Sequence, residues 1–290
     1  MTTPTTQTLE VPGAVLTYDV RGGDSNTQPP LLLFGSPMGA QGFGTLASHF
    51  PDRTVVTYDP RGAERSTKTD ATTQSTPDEH ADDLHRVIAA VGGGPVDAFA
   101  SSGGAVNALA LVMHHPQEIR TLVAHEPPAA AVLPDRDQIL AACADIRETY
   151  RIDGFGPAMA KFLVLVTYEG PLPSDFADQP PPDPAAFGLP TDDDGGREDP
   201  LVGQNIYTCN AYEHDFDAIR AATTRVVIGV GATSGGVMAG RAGTAVAARL
   251  GLEPVTFPGG HGGFLGGEYG QTDEPEAFAA TLRNVLEAGS

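Results

Sequence analysis

"VDAFASSGGAVNALALV" (residues 96–112) decides the fold. Val96 to Ala100 reads as a short buried strand, and from Ala105 the apolar positions Ala105, Ala108, Leu109, Val112 and Met113 recur at helical spacing until Pro116. Only two serines and two glycines separate the two patterns. A strand that enters a helix through so short a turn is strained and needs small residues around it.

Working outward, 16–20, 31–35, 54–59, 121–126, 225–231 and 253–259 are also short apolar segments rich in β-branched residues. Such runs suit strands buried on both faces. Helical patterns lie between them. In residues 76–94, Thr76 and Glu79 predict a capping box, Pro77 takes the first helical position, and Leu84, Val87, Ile88 and Val91 share a face. A closing helix carries Phe278, Leu282, Val285 and Leu286 on one side. The alternation predicts an α/β fold with a mostly parallel central sheet flanked by helices.

The rhythm breaks between Glu126 and Arg225. That interval holds two amphipathic helical patterns (137–150 and 156–168) and a stretch, 170–200, with eight of the chain's 25 prolines. So long a loop is rarely a plain connector. We expect residues 128–214 to be a helical cap inserted after the strand that follows the 105–113 helix, and 1–127 with 215–290 to be the core.

The chain has 290 residues, 37 acidic against 17 basic side chains and a net charge of −20. That surface repels nucleic acid and anionic lipid, so neither is expected as a partner. No run approaches the roughly 18 apolar residues of a membrane span. The first ten residues hold neither a basic segment nor an apolar run, so no secretion signal is expected. Cys143 and Cys209 fit neither a metal-ligand spacing nor a disulfide framework, which points to a reduced, cytoplasmic protein. No pattern favours a monomer over a homodimer.

Centred on Ser102, Ala100-Ser101-Ser102-Gly103-Gly104 has the form of the nucleophile elbow G-x-S-x-G with alanine first. A phosphate-cradling turn is the rival reading, but G-x-G-x-x-G and the P-loop pattern are both missing. A serine hydroxyl needs a base. His49, His80, His85, His114 and His115 fall within or at the ends of helical patterns, where solvated or helix-terminal roles are expected. "HADDLH" (80–85) matches no standard zinc spacing, and no metal is expected. His261 stands in "FPGGHGGFLGG", beyond the last strand, where open parallel sheets gather functional groups. Residues 229–241 contain no Asp or Glu to orient that base, whereas Glu126 ends the strand after the Ser102 helix and returns to the same sheet edge. For the oxyanion, the N–H of Gly103 is one expected donor and that of Ser36 the other, with Met38 a weaker choice and Pro37 excluded for want of an N–H.

These motifs resemble the α/β-hydrolase superfamily over essentially the whole chain. "LLLFGSPMG" (31–39) looks like the HG-x-P loop, "YDPRGAERST" (58–67) like the D-x-R-G-x-G-x-S turn, "TLVAHEPP" (121–128) like a strand bearing an early acid, and "FPGGHGGF" (257–264) like the histidine loop. Phe34 replaces the usual His and Ala100 the usual first Gly. More narrowly, the chain resembles actinobacterial esterase-type hydrolases. The H-E-x-P segment with the serine turn also resembles zearalenone lactonases, where Ser, Glu and His follow in the same order. The resemblance implies a cofactor-free serine hydrolase of a hydrophobic small-molecule ester or lactone, with Ser102, His261 and Glu126 as the triad. The competing expectation is a non-hydrolytic member of the same fold, a ligand-binding protein or a lyase or cyclase.

Overall fold

The computed structural model describes residues 3–22, 28–69 and 74–288. Its strands are β1 (Thr5–Val11), β2 (Ala14–Arg21), β3 (Leu31–Phe34), β4 (Val55–Asp59), β5 (Thr67–Lys68), β6 (Val96–Ser101), β7 (Ile119–His125), β8 (Arg225–Gly231) and β9 (Val255–Phe257). The helices are α1 (Gly44–Ser48), α2 (Pro77–Ala90), α3 (Gly103–His114), α4 (Arg136–Asp153), α5 (Phe155–Thr167), α6 (Ile206–Thr208), α7 (Phe216–Ala221), α8 (Met238–Leu250) and α9 (Pro275–Glu287). Among the described residues the strands form one sheet in the order β1-β2-β4-β3-β6-β7-β8-β9, with β5 beside β2.

From β4 to β9 every pairing is parallel, while β1, β2 and β5 pair antiparallel. The chain leaves β3 towards β4 on one side and later returns to β6 on the other. Such a reversal of strand order opens a crevice at the carboxyl ends of the two strands. Register aligns those ends: Phe34 lies opposite Ala100, Ser101 opposite His125, and His125 opposite Gly229. The residues that follow therefore reach one edge together.

Side-chain alternation splits the core into two layers. Leu32 and Phe34 join Leu84, Leu109, Ile219 and Val246 from α2, α3, α7 and α8. Leu31 and Leu33 face the other way, onto Leu46 of α1 and Phe278 and Leu282 of α9. The capping box at Thr76 forms as the sequence predicts, with Glu79 N–H donating to Thr76 Oγ1 at 3.3 Å and Thr76 N–H to Glu79 Oε2 at 2.9 Å.

Between β7 and β8, Ile139, Cys143 and Ile146 of α4 and Leu165 of α5 build a third apolar cluster with Val202, seated on Met238 and Ala242 of α8. No helix among the described residues is long and apolar enough to cross a membrane. Sequence patterning missed β1, a largely exposed edge strand whose threonine-rich run lacks alternation. It is joined to β2 through Pro12 and Gly13, the latter at φ +75°. The last strand is shorter than the apolar run suggested, 255–257 instead of 253–259.

Candidate active site

Ser102 sits between β6 and α3 at φ +58° and ψ −131°, a region costly for any residue with a Cβ. The turn is held by the Ser102 N–H donating to His125 O (3.0 Å) and by Ser102 O accepting from Ala105 N–H (2.9 Å). Both flanking glycines are spatially required. A Cβ on Gly104 would lie 2.7 Å from the Gly35 backbone, and one on Gly103 would lie 2.6 Å from Ser36 O. The start of α3 is thus pressed against the loop after β3. As the first helical residue, Gly103 has an N–H with no acceptor inside the helix.

Glu126 follows β7 at φ +49°, fully buried. Its Oε1 accepts the Gly231 N–H at 2.7 Å and its Oε2 accepts from His261 Nδ1 at 2.6 Å. Burial pushes the carboxyl up, but the His261 hydrogen bond, the nearby imidazoles and the Gly231 N–H outweigh it and bring the pKa down to about 2. An ionised carboxylate only accepts, so Nδ1 carries the proton, and in the neutral ring the lone pair is on Nε2. The His261 loop is fastened: Gly260 N–H donates to Asp273 Oδ2 at 2.9 Å, and a Cβ on Gly231 would lie 2.8 Å from Gly260. The glycines of this segment serve close backbone approach.

Ser36 follows β3 and is buried, and its Oγ accepts from Asn205 Nδ2 at 2.9 Å. The loop is braced from behind by Asp59, whose Oδ1 accepts the Ala40 N–H (2.7 Å) while its Oδ2 holds Arg65 Nε (2.6 Å). Arg61 is buried and forks onto Asp83, with both contacts at 2.7 Å. Ser66 Oγ donates to Asp59 O and accepts from Thr17 N–H. The "DPRGAERS" turn is therefore a brace under the loop bearing Ser36.

Ser36, Ser102, Gly103 and His261 all line one cavity of about 410 Å³. Phe162, Leu163 and Val166 of α5 form part of its wall, whereas Leu165 turns into the third apolar cluster. Cys209 also lines it, but burial pushes its thiol up to about 12, so it is a thiol and not a thiolate at neutral pH. Glu126 stands behind His261, away from the cavity wall.

Sequence reasoning overlooked Asn205 and His125 and misread His80. Asn205 ends a π-turn at Leu201–Asn205, opened by Asp199 Oδ1 accepting the N–H groups of Leu201 and Val202 at 2.9 Å. The Asp-Pro pair at 199–200 is a helix-start signal inside the stretch read as loop. His125 is wholly buried, with both ring nitrogens unpartnered and its centroid 6.3 Å from that of His261; burial lowers its pKa to about 4. His80, expected to be solvated or helix-terminal, is instead buried without partners, and burial with the Arg61 and Lys68 charges lowers its pKa to about 3.

Among the described residues, His85, His115 and Glu118 bring metal-type donor atoms within 4.8 Å of one another. The imidazole planes of His85 and His115 are stacked, 5° from parallel and 4.1 Å apart, so their in-plane lone pairs do not converge on one ion. The cluster lies at the far end of α3, roughly 18 Å of helix from Ser102.

A family model described as alpha/beta hydrolase fold matches residues 31–178. An uncharacterized hydrolase of Bacillus subtilis, YraK, is 28% identical over 287 residues, covering 97% of this chain and 95% of its own. A variant of the N-acyl homoserine lactonase AidH, solved with N-hexanoyl homoserine, superposes with a TM-score of 0.66 at 16% identity, covering 99% of this chain and 98% of its own. A structure from a study of carboxylesterases of the thaumarchaeon Nitrososphaera gargenis gives 0.68 at 15% identity, with 98% of each chain covered.

Proposed function

Because the chain belongs to the α/β-hydrolase family, we propose that it is a serine hydrolase of carboxylic esters or lactones working through an acyl-enzyme. The observation that carries this is the 2.6 Å bond between Glu126 Oε2 and His261 Nδ1, beside a cavity lined by both His261 and Ser102. In this reading Ser102 Oγ attacks the carbonyl carbon as His261 Nε2 takes its proton, and the negative charge of Glu126 stabilises the imidazolium. The oxyanion takes the N–H groups of Gly103 and Ser36, reinforced by the amino end of α3. His261 then protonates the leaving alcohol, and water repeats the sequence on the acyl-enzyme.

The segment 128–214 acts as a cap over the site. Its apolar α5 wall suits a medium-sized hydrophobic acyl or alcohol part. The YraK description and the lactonase and carboxylesterase likenesses support a hydrolase without choosing between ester and lactone. The test is a panel of p-nitrophenyl esters of increasing chain length beside aliphatic lactones, aromatic lactones and a zearalenone-type macrolactone. It is run with fluorophosphonate labelling of the parent and of Ser102→Ala. Turnover with labelling at Ser102, both lost in the variant, is expected. Full activity in Ser102→Ala overturns the reading.

A further inference from the structure

We infer that Ser36 gives its side-chain hydroxyl, as well as its backbone N–H, to the oxyanion, and that Asn205 is the positioning residue that aims it; this rests on the serine-hydrolase reading above. The two side chains are buried together, Ser36 at 4% and Asn205 at 5% exposure, and both border the cavity that Ser102 lines.

A hydroxyl has one proton to donate and two lone pairs to accept with. Asn205 Nδ2 donates to Ser36 Oγ at 2.9 Å and so occupies a lone pair. An amide N–H cannot accept, so the Ser36 proton must rotate away from Asn205. Among the described residues no protein acceptor receives it, and a buried hydroxyl proton without an acceptor is unfavourable. The remaining direction is the cavity, where the tetrahedral intermediate brings a full negative charge. Ser36 is already against the residue that supplies the other donor, because a Cβ on Gly103 would lie 2.6 Å from Ser36 O.

The aim is preorganised. Asn205 is fixed by its own N–H donating to Pro200 O at 2.9 Å and by its carbonyl accepting from Cys209 N–H at 3.0 Å. On the other side of Ser36, Phe34 is buried against Tyr58 and offers the loop no side-chain hydrogen bond. Polar support for this loop therefore comes from both directions: Asp59 braces it through Ala40, and Asn205 holds Ser36 from the segment between β7 and β8. A donor held in place before charge develops acts without reorganisation, which is what oxyanion stabilisation requires.

The experiment measures kcat and KM separately on p-nitrophenyl butyrate for Ser36→Ala, Asn205→Ala, Asn205→Asp, the Ser36→Ala/Asn205→Ala double variant and Ser102→Ala. Ser36→Ala keeps the backbone N–H and is expected to lower kcat about ten- to hundred-fold with KM within about two-fold. Asn205→Asp, nearly isosteric, should fall further than Asn205→Ala, because a carboxylate accepts the Ser36 proton and turns it from the oxyanion. In the Ser36→Ala background, removing the Asn205 amide should change kcat by less than about two-fold. Parent-like kcat in Ser36→Ala, or Asn205→Asp no worse than Asn205→Ala, overturns the inference while an inactive Ser102→Ala leaves the hydrolase reading intact. An active Ser102→Ala overturns both.

Discussion

Glu126 and His261, 135 residues apart in the chain, meet at 2.6 Å through Oε2 and Nδ1. The second carboxylate oxygen is taken by the Gly231 N–H, so the carboxyl cannot rotate freely. With its pKa drawn down to about 2, it stays ionised from mild acid upward and holds the proton on Nδ1. In Glu126→Gln the amide presents N–H to Nδ1 and drives the imidazole proton to Nε2, the nitrogen proposed to accept from Ser102. The expected loss in kcat is roughly a hundred- to ten-thousand-fold. KM for an aryl ester should barely move, because Glu126 does not line the cavity. An undiminished kcat would remove Glu126 from the proposed triad.

The close approach of α3 to the β3 loop predicts a different defect. Gly104→Ala puts a methyl 2.7 Å from the Gly35 Cα and carbonyl carbon, backbone atoms that cannot swing aside. The chain must open that contact, which moves Ser36 away from Gly103. We expect a stability loss on the order of 2 kcal/mol with kcat depressed together with it. Denaturant melts and steady-state rates on one sample check this, and a variant with parent stability and rate contradicts it.

These two cases show what was legible beforehand. The elbow, the early acid and the histidine loop each announce themselves locally, because small residues, a carboxylate and a glycine run sit at strand ends in chain order. The parallel sheet followed from its buried apolar strands. Asn205 was not legible: its contact with Ser36 spans 169 residues and depends on a π-turn that directly follows a proline-rich stretch without helical periodicity. His125 was hidden for another reason. A histidine at a strand end, between Ala124 and Glu126, carries no pattern to tell a buried neutral ring from an exposed one. β1 escaped because exposed edge strands have little hydrophobic alternation to read.

The buried neutral histidines set the acid side of the stability profile. In the folded chain His80 titrates at about 3 and His125 at about 4, each lowered first by burial. Unfolded histidine titrates near 6.5. Between these values the unfolded chain binds protons that the folded chain refuses, so stability is full above about pH 6.5 and falls as pH drops. The slope is about 1.4 kcal/mol per pH unit for each such group. Glu126 adds to the loss below about pH 4.5, as its folded-state pKa lies beneath its unfolded value. The melting temperature should therefore be level from pH 7 to about pH 6.5 and decline from there to about pH 4.5. His80→Met, whose side chain does not line the cavity, should flatten that decline without altering neutral-pH kcat. A melting temperature constant across the range would contradict the assignment.

Within α5, neighbouring positions face different surroundings, so substitutions there should separate specificity from stability. Leu163 lines the cavity, while Leu165 is fully buried in the apolar cluster between α4 and α8. Leu163→Trp fills part of about 410 Å³ and should leave p-nitrophenyl acetate turnover near the parent. The octanoate-to-acetate ratio of kcat/KM should fall about ten-fold or more, since misfitting even one methylene costs about 1–3 kcal/mol. Leu165→Ala should do the reverse, costing about 2–5 kcal/mol of stability with the ratio unchanged. If Leu163→Trp leaves the chain-length ratio untouched, the acyl part does not lie along α5, and the apolar wall there belongs to packing alone.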